Sequence, residues 1–199
     1  MNNYVRFFNA DCMGRKVSFY IDGVQTLTDV EYGKFSEYIK VDVSSATFGI
    51  TCKGCNDKKC SSLSLSFENS RVYTVAAICV GSDVCIYGIR EIFDDKNKTG
   101  ANLRVCNLCP DISGDDLYMN QHKIVGDMEY LEVGKYIKLI PDTYDFTVKD
   151  ENEIKFNAGK QTLKNRKYNT FYFIGNQKSQ PEIKCVVSVD AMSYETDIL

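Results

Sequence analysis

The chain has 199 residues, 44% hydrophobic and 26% charged, with 24 basic against 27 acidic residues and a formal net charge of −3. Its charges are interspersed rather than blocked, which excludes a clustered basic face for nucleic acid and a polybasic membrane anchor. Tyr (13) and Phe (11) are frequent, Trp is absent and Pro occurs three times, a bias towards strands, and nine cysteines exceed what a reduced cytosolic protein usually carries.

From the N-terminus, Met1 to Phe8 shows neither a basic n-region nor an apolar h-region, so no ordinary secretion signal is expected. Val5 and Phe7 alternate with Arg6 and Phe8 in an opening strand. Val17, Phe19 and Ile21 alternate with Ser18, Tyr20 and Asp22 in the next. Asp22-Gly23 then supplies the two-residue turn a right-twisted hairpin prefers. After Gly33 comes Tyr38 to Val43, with Ile39, Val41 and Val43 expected inward, and then a strand at Thr47 to Thr51. Ser62 to Phe67 alternates most cleanly, placing leucines and phenylalanine inward and serines in water. Val72 to Val80 is apolar on both faces and reads as a central strand. Val84 to Ile92 closes the unit.

The opening stretch then returns. At a constant offset of 98, Arg6, Asn9 and Tyr20 fall on Arg104, Asn107 and Tyr118. Asp29, Glu31 and Tyr32 fall on Asp127, Glu129 and Tyr130, and Tyr38-Ile39-Lys40 on Tyr136-Ile137-Lys138. Ten of the 47 columns from Val5 to Thr51 are identical. A period of that length divides the chain into residues 1–92, a polar linker at 93–101 and residues 102–199. In the second copy Asn120-Gln121 replaces Asp22-Gly23, and the loop after Lys149 is about three residues shorter. Tyr144, Phe146 and Val148 alternate there, as do Ile183, Cys185, Val187 and Val189. Seven or so short strands per copy, without sustained helical periodicity, predict an all-β protein of two tandem immunoglobulin-like antiparallel β-sandwiches.

The cysteines are the residues most able to carry chemistry. Cys52, Cys55 and Cys60 share a polar loop, Cys106 and Cys109 form C-N-L-C after the second copy's first strand, and Cys12 lies in the matching loop of the first. Cys79 and Cys85 flank Gly81-Ser82-Asp83, and a three-residue hairpin there places them face to face for a disulfide. Aligning C-I-Y-G-I with C-V-V-S-V sets Cys185 on the position of Cys85. Three readings compete. Zinc needs four thiolates drawn from both copies. A redox C-x-x-C needs a helix N-terminus to lower its thiol pKa, whereas this one follows a strand and precedes Pro110-Asp111. Cross-linking in an oxidising setting, within or between chains, suits the loop positions, and the odd total leaves at least one thiol without an intrachain partner. All nine are therefore candidate cross-links, and no cofactor or metal is assigned.

His122, the one histidine, follows the second hairpin turn and reads as an exposed turn residue. Asp94-Asp95 and Asp115-Asp116 read as loop acids lacking calcium-loop spacing. Phosphate-loop, dinucleotide and zinc-protease motifs do not occur, so no enzyme activity is expected. The repeated Asp-x-Glu-Tyr and Tyr-Ile-Lys read as polar residues tying loops to strand ends.

V-R-F-F-N-A-D, V-S-F-Y-I-D-G and V-E-Y-G-K-F-S-E-Y-I-K-V, with Tyr73 to Ile78, resemble a bacterial domain of unknown function commonly found in tandem on extracellular proteins. Leu108 and Asn120-Gln121 depart from its pattern in the second copy. The resemblance implies a β-sandwich at the cell surface and supplies no catalytic residues. Cysteine richness without a leader further resembles endospore surface layers. The expected function is therefore a self-assembling coat, exosporium or appendage subunit, partnered by copies of itself, with other surface proteins as further candidate partners, and riveted by disulfides. A monomeric adhesive or ligand-binding module, and a zinc-stabilised domain pair, are the alternatives.

Overall fold

A computed structural model of the chain describes residues 3–55, 61–67, 72–91, 99–151, 153–177 and 179–194. They form two compact units that divide at Ile92/Phe93. Both are β-sandwiches of two four-stranded sheets.

The first unit contains β1 (Asn3–Asn9), β2 (Val17–Ile21), β3 (Val24–Val30), β4 (Ile39–Val41), β5 (Ser45–Cys52), β6 (Ser62–Ser66), β7 (Val72–Val80) and β8 (Asp83–Arg90). One sheet runs β4-β1-β7-β8 and the other β3-β2-β5-β6. The period-2 pattern puts Val5 and Phe7 of β1, Phe19 of β2, Phe48 of β5 and Val75 and Ala77 of β7 into one core. Phe7 lies 4.7 Å from Phe19 and 6.1 Å from Phe48, ring centre to ring centre. As its two apolar faces predict, β7 is central and buried over all but its last residue. Leucines and serines of β6 alternate as expected, with Phe67 just beyond it in the core.

The second unit repeats the plan with β9 (Ala101–Asn107), β10 (Asp115–Met119), β11 (His122–Met128), β12 (Ile137–Leu139), β13 (Asp142–Asp150), β14 (Glu153–Leu163), β15 (Tyr168–Ile174) and β16 (Lys184–Val189). Its sheets run β12-β9-β15-β16 and β11-β10-β13-β14. The first four strands match those of the first unit at the offset of 98. Asp22-Gly23 and Asn120-Gln121 both turn with positive φ at each residue (49° and 78°; 45° and 72°), the backbone a tight right-twisted hairpin requires.

Several expectations need correction. The sandwiches are not wholly antiparallel: β1 runs parallel to β7, and β9 parallel to β15. Val43 is 46% exposed because β4 ends at Val41. Ala101 opens β9, while residues 93–98 of the expected linker lie outside the described residues. The deletion after β13 is two residues long: Thr74 pairs with Arg6 and Thr170 with Arg104, so the offset falls to 96. Asp115-Asp116 open β10 rather than occupying a loop, and Asp94-Asp95 lie outside the described residues.

Candidate functional site

Each unit encloses a charged cluster on the outer face of its central strand. Side chains alternate across β1, so Val5 and Phe7 facing the core turn Arg6 away from it. The loop before β4 folds over Arg6 and leaves it 4% exposed. There its Nε donates to Thr74 Oγ1 of β7 (2.8 Å), and its guanidinium lies 3.4 Å from Glu91, itself 1% exposed. The rings of Phe35 and Tyr38 stack on the cation at 4.7 and 4.9 Å, and the Tyr38 hydroxyl donates to Glu91 at 2.6 Å. The second unit rebuilds the arrangement. Arg104 donates to Thr170 (2.7 Å), Thr170 to Asp190, and the hydroxyl of Tyr136, whose ring stacks on Arg104 at 4.9 Å, donates to Asp190 (2.6 Å). The repeated arginine and tyrosine thus tie the loop before β4 or β12 to the end of β8 or β16. Their carboxylate partners escaped the repeat because Glu91 and Asp190 stand 99 apart. In both units the enclosed ion pair ties a loop to the sheet beneath it.

The second cluster is the loop after β1. Asn9 donates through Nδ2 to the carbonyls of Arg15 and Val30 (2.8 Å each) and accepts from the Asp11 N–H. Asp11, fully buried, takes two charge-assisted bonds from Arg15 (2.7 and 2.9 Å). That pairing holds the Arg15 guanidinium above its ordinary pKa. Cys12 is disulfide-bonded to Cys79 of β7, with 5.7 Å between their Cα atoms and a sequence separation of 67. Donor atoms of Asp11, Cys12 and Cys79 lie within 4.8 Å of one another, but the carboxylate is engaged by Arg15 and the sulfurs by each other.

The remaining cysteines are not equivalent. Cys52 is joined to Cys55 across the turn that ends β5. Cys79 does not face Cys85, because the hairpin turns on two residues and opposes Cys79 to Val84 and Cys85 to Ile78. Nor do Cys85 and Cys185 share a site. Glu91 matches Asp190, so Ile86 is the counterpart of Cys185, and a one-residue slip reverses the face. Ile86 belongs to the first core and Cys185 packs against the second, so Cys85 points outward. Cys85 is half-buried and unpaired. Cys106 and Cys109 are fully buried, and burial pushes each thiol up to about 12. The Cys109 thiol donates to the Gly175 carbonyl (3.2 Å), and only a single 3₁₀ turn, Pro110–Ile112, follows it. This is the reverse of the lowered pKa that a redox motif needs. Burial raises the Cys185 thiol as well. Cys60 lies outside the described residues.

His122 opens β11 and is exposed, as its position after the turn implies. In the repeated Asp-x-Glu-Tyr, Asp29 and Asp127 adopt positive φ (49° and 51°) at the bulge of each second hairpin. Their N–H groups donate to Ser18 Oγ and Asp116 Oδ1. Asp116, bonded also by Lys123, sits below the usual carboxylate range, with the Asp127 N–H the larger cause. Asp115 is pushed the other way by burial.

A family model for a domain of unknown function, DUF4397, matches residues 3–99 and again residues 101–196. The chain belongs to the DUF4397 family. Its two matched segments correspond to the two sandwiches, so one DUF4397 domain is one eight-stranded unit with one enclosed arginine cluster. No curated protein matches the chain. No helix among the described residues is long and apolar enough to cross a membrane.

Proposed function

We propose that the chain is a structural, self-assembling subunit of a bacterial surface layer, such as an endospore coat, exosporium or appendage, in which copies are joined by disulfides. The observation that carries this reading is Cys85: a free, half-buried thiol on the outward face of β8, the edge strand of its sheet. An edge strand offers unpaired backbone groups to a neighbouring chain, and strand-to-strand docking there brings Cys85 against a second copy. Two intrachain disulfides support an oxidising destination. The buried charges of both units serve packing, which fits a building block better than a catalyst.

The reading narrows the original set of nine rivets. Cys12, Cys79, Cys52 and Cys55 are spent within the chain, Cys109 and Cys185 pack on the second core, and Cys106, on the outer face of β9, is fully buried. Electrophoresis of native material with and without reductant, paired with negative-stain microscopy, is the test. Reductant-sensitive multimers that Cys85→Ser reduces or abolishes are expected. Monomers in both lanes, with neither fibres nor sheets on the grid, overturn the proposal.

A further inference from the structure

The second unit contains a cleft of about 390 Å³ between the open sides of β11 and β12, walled by Leu103, Val105, Val125, Met128, Val133 and Ile137. Its origin can be followed in the repeat. Where the first unit has Phe7, whose ring packs on Phe19 and Phe48, the second has Val105. Phe19 is replaced by Leu117, while Phe171 and Phe173 stand where the first unit has Val75 and Ala77, so the core rings move from β9 and β10 to β15. Where the first unit has Phe35 and Ser36, the second has Val133 and Gly134. Three reductions in side-chain size, at Val105, Val133 and Gly134, thus fall on one cleft.

The change from Ser36 to Gly134 also alters its hydrogen bonding. In the first unit the Phe7 N–H donates to the Ser36 hydroxyl at 2.8 Å. The companion bond survives in the second unit, where the Gly134 N–H donates to the Val105 carbonyl (2.8 Å), but no hydroxyl stands opposite the Val105 N–H. A Cβ built on Gly134 would lie 3.4 Å from the Val105 carbonyl oxygen and 3.8 Å from its nitrogen, ordinary contact distances, so one further atom fits beside that N–H. The cleft therefore combines a mainly apolar wall with the Val105 N–H inside it and polar or charged side chains of Arg104, Asn107, Glu132 and Lys135 around it. The buried cation in its wall, Arg104, is bonded to Thr170 and lies 3.8 Å from Asp190, and the exposed Glu132 and Lys135 carry opposite charges, so the lining carries little net charge to select a charged ligand.

We propose that this cleft is a binding site for a small, uncharged, mainly apolar molecule whose carbonyl oxygen accepts from the Val105 N–H. Size sets the class. A cavity of about 150 Å³ holds benzene, so one of 390 Å³ admits a substituted ring or branched chain of the aromatic-ketone or ester type. Apolar burial supplies affinity, and the Val105 N–H selects the oxygen. The inference stands on the second unit alone and goes beyond the assembly reading: monomer and polymer carry the same cleft.

The test is a titration of the full ¹⁵N-labelled chain with acetophenone, and with ethylbenzene as the ring without an acceptor, followed by amide chemical shifts. Acetophenone is expected to give saturable shifts at Val105, Val133 and Gly134, with the Val105 proton moving furthest downfield, and to bind at least tenfold more tightly than ethylbenzene. Gly134→Ser, which restores the first unit's acceptor, is expected to weaken acetophenone at least tenfold. Val105→Phe, which restores its ring, is expected to remove both responses. Each variant carries the residue the first unit tolerates at that place, and the same spectra report whether it folds. Shifts that do not saturate at these three amides, equal affinity for the two probes, or an unchanged response in either folded variant overturn the proposal.

Discussion

Replacing Glu91 by alanine should be among the most damaging single changes in the first unit. Glu91 is 1% exposed and receives the Tyr38 hydroxyl at 2.6 Å, while Arg6, 4% exposed, lies 3.4 Å away. Both charges have already been removed from water, so deleting the carboxylate leaves a buried guanidinium uncompensated, which costs about 3–5 kcal/mol. Deleting the whole cluster should cost far less. In Arg6→Met/Tyr38→Phe/Glu91→Leu no charge remains to be desolvated, and replacing a buried pair by apolar residues is close to neutral, within about 2 kcal/mol. The chain has no tryptophan, so urea unfolding is followed by far-UV circular dichroism. Asp190→Ala, the counterpart in the second unit, assigns the transitions. A loss below about 1 kcal/mol for Glu91→Ala, or a triple variant as unstable as the summed single variants, would refute an enclosed, mutually dependent cluster.

Further outcomes follow from the same geometry. Cys12→Ser opens the Cys12–Cys79 loop, a sequence separation of 67, and should lower stability by about 4 kcal/mol on the chain-entropy account, with variant and parent melting at the same temperature once both are in reductant. Asp115 is 5% exposed, and its Oδ2 meets no hydrogen-bond partner among the described residues. Burial raises its folded-state pKa, so the folded form binds the proton more tightly than the unfolded one and is penalised once the group ionises. Asp115→Val, the residue of the first unit at that place, should therefore stabilise by about 1–3 kcal/mol at neutral pH. The gain should fade as pH drops through the raised folded-state pKa and be gone below the ordinary carboxylate value of about 4, which thermal melts from about pH 7 down to about pH 3 would follow. Gln121 holds φ at 72° in the second hairpin turn, and Gln121→Gly should stabilise by about 1 kcal/mol in the same melts.

The amino-acid sequence by itself determined everything that depends on near neighbours. Alternation of side chains every second residue sets which face of β1, β2, β6 and β7 is buried, because a strand admits only two faces. Asp22-Gly23 and Asn120-Gln121 define a turn because few residues tolerate paired positive φ. The offset of 98 marks two copies of one unit. Weakly patterned edge strands were less legible: β3 and the bulged, eleven-residue β14 carry few core residues and exist because a neighbour pairs with them.

Only the tertiary structure decided which distant groups meet. The parallel pairing of β1 with β7 brings Thr74 to Arg6, and the end of β8 brings Glu91, across separations no local pattern records. The same pairing sets Cys79 beside Cys12 rather than Cys85. A register difference of one residue sends Cys85 outward and Cys185 inward, although their flanking sequences look alike. The cleft beside Val105 is a property of the packed fold: Val105, Val133 and Gly134 are each unremarkable alone, and line one space only because the fold places them together.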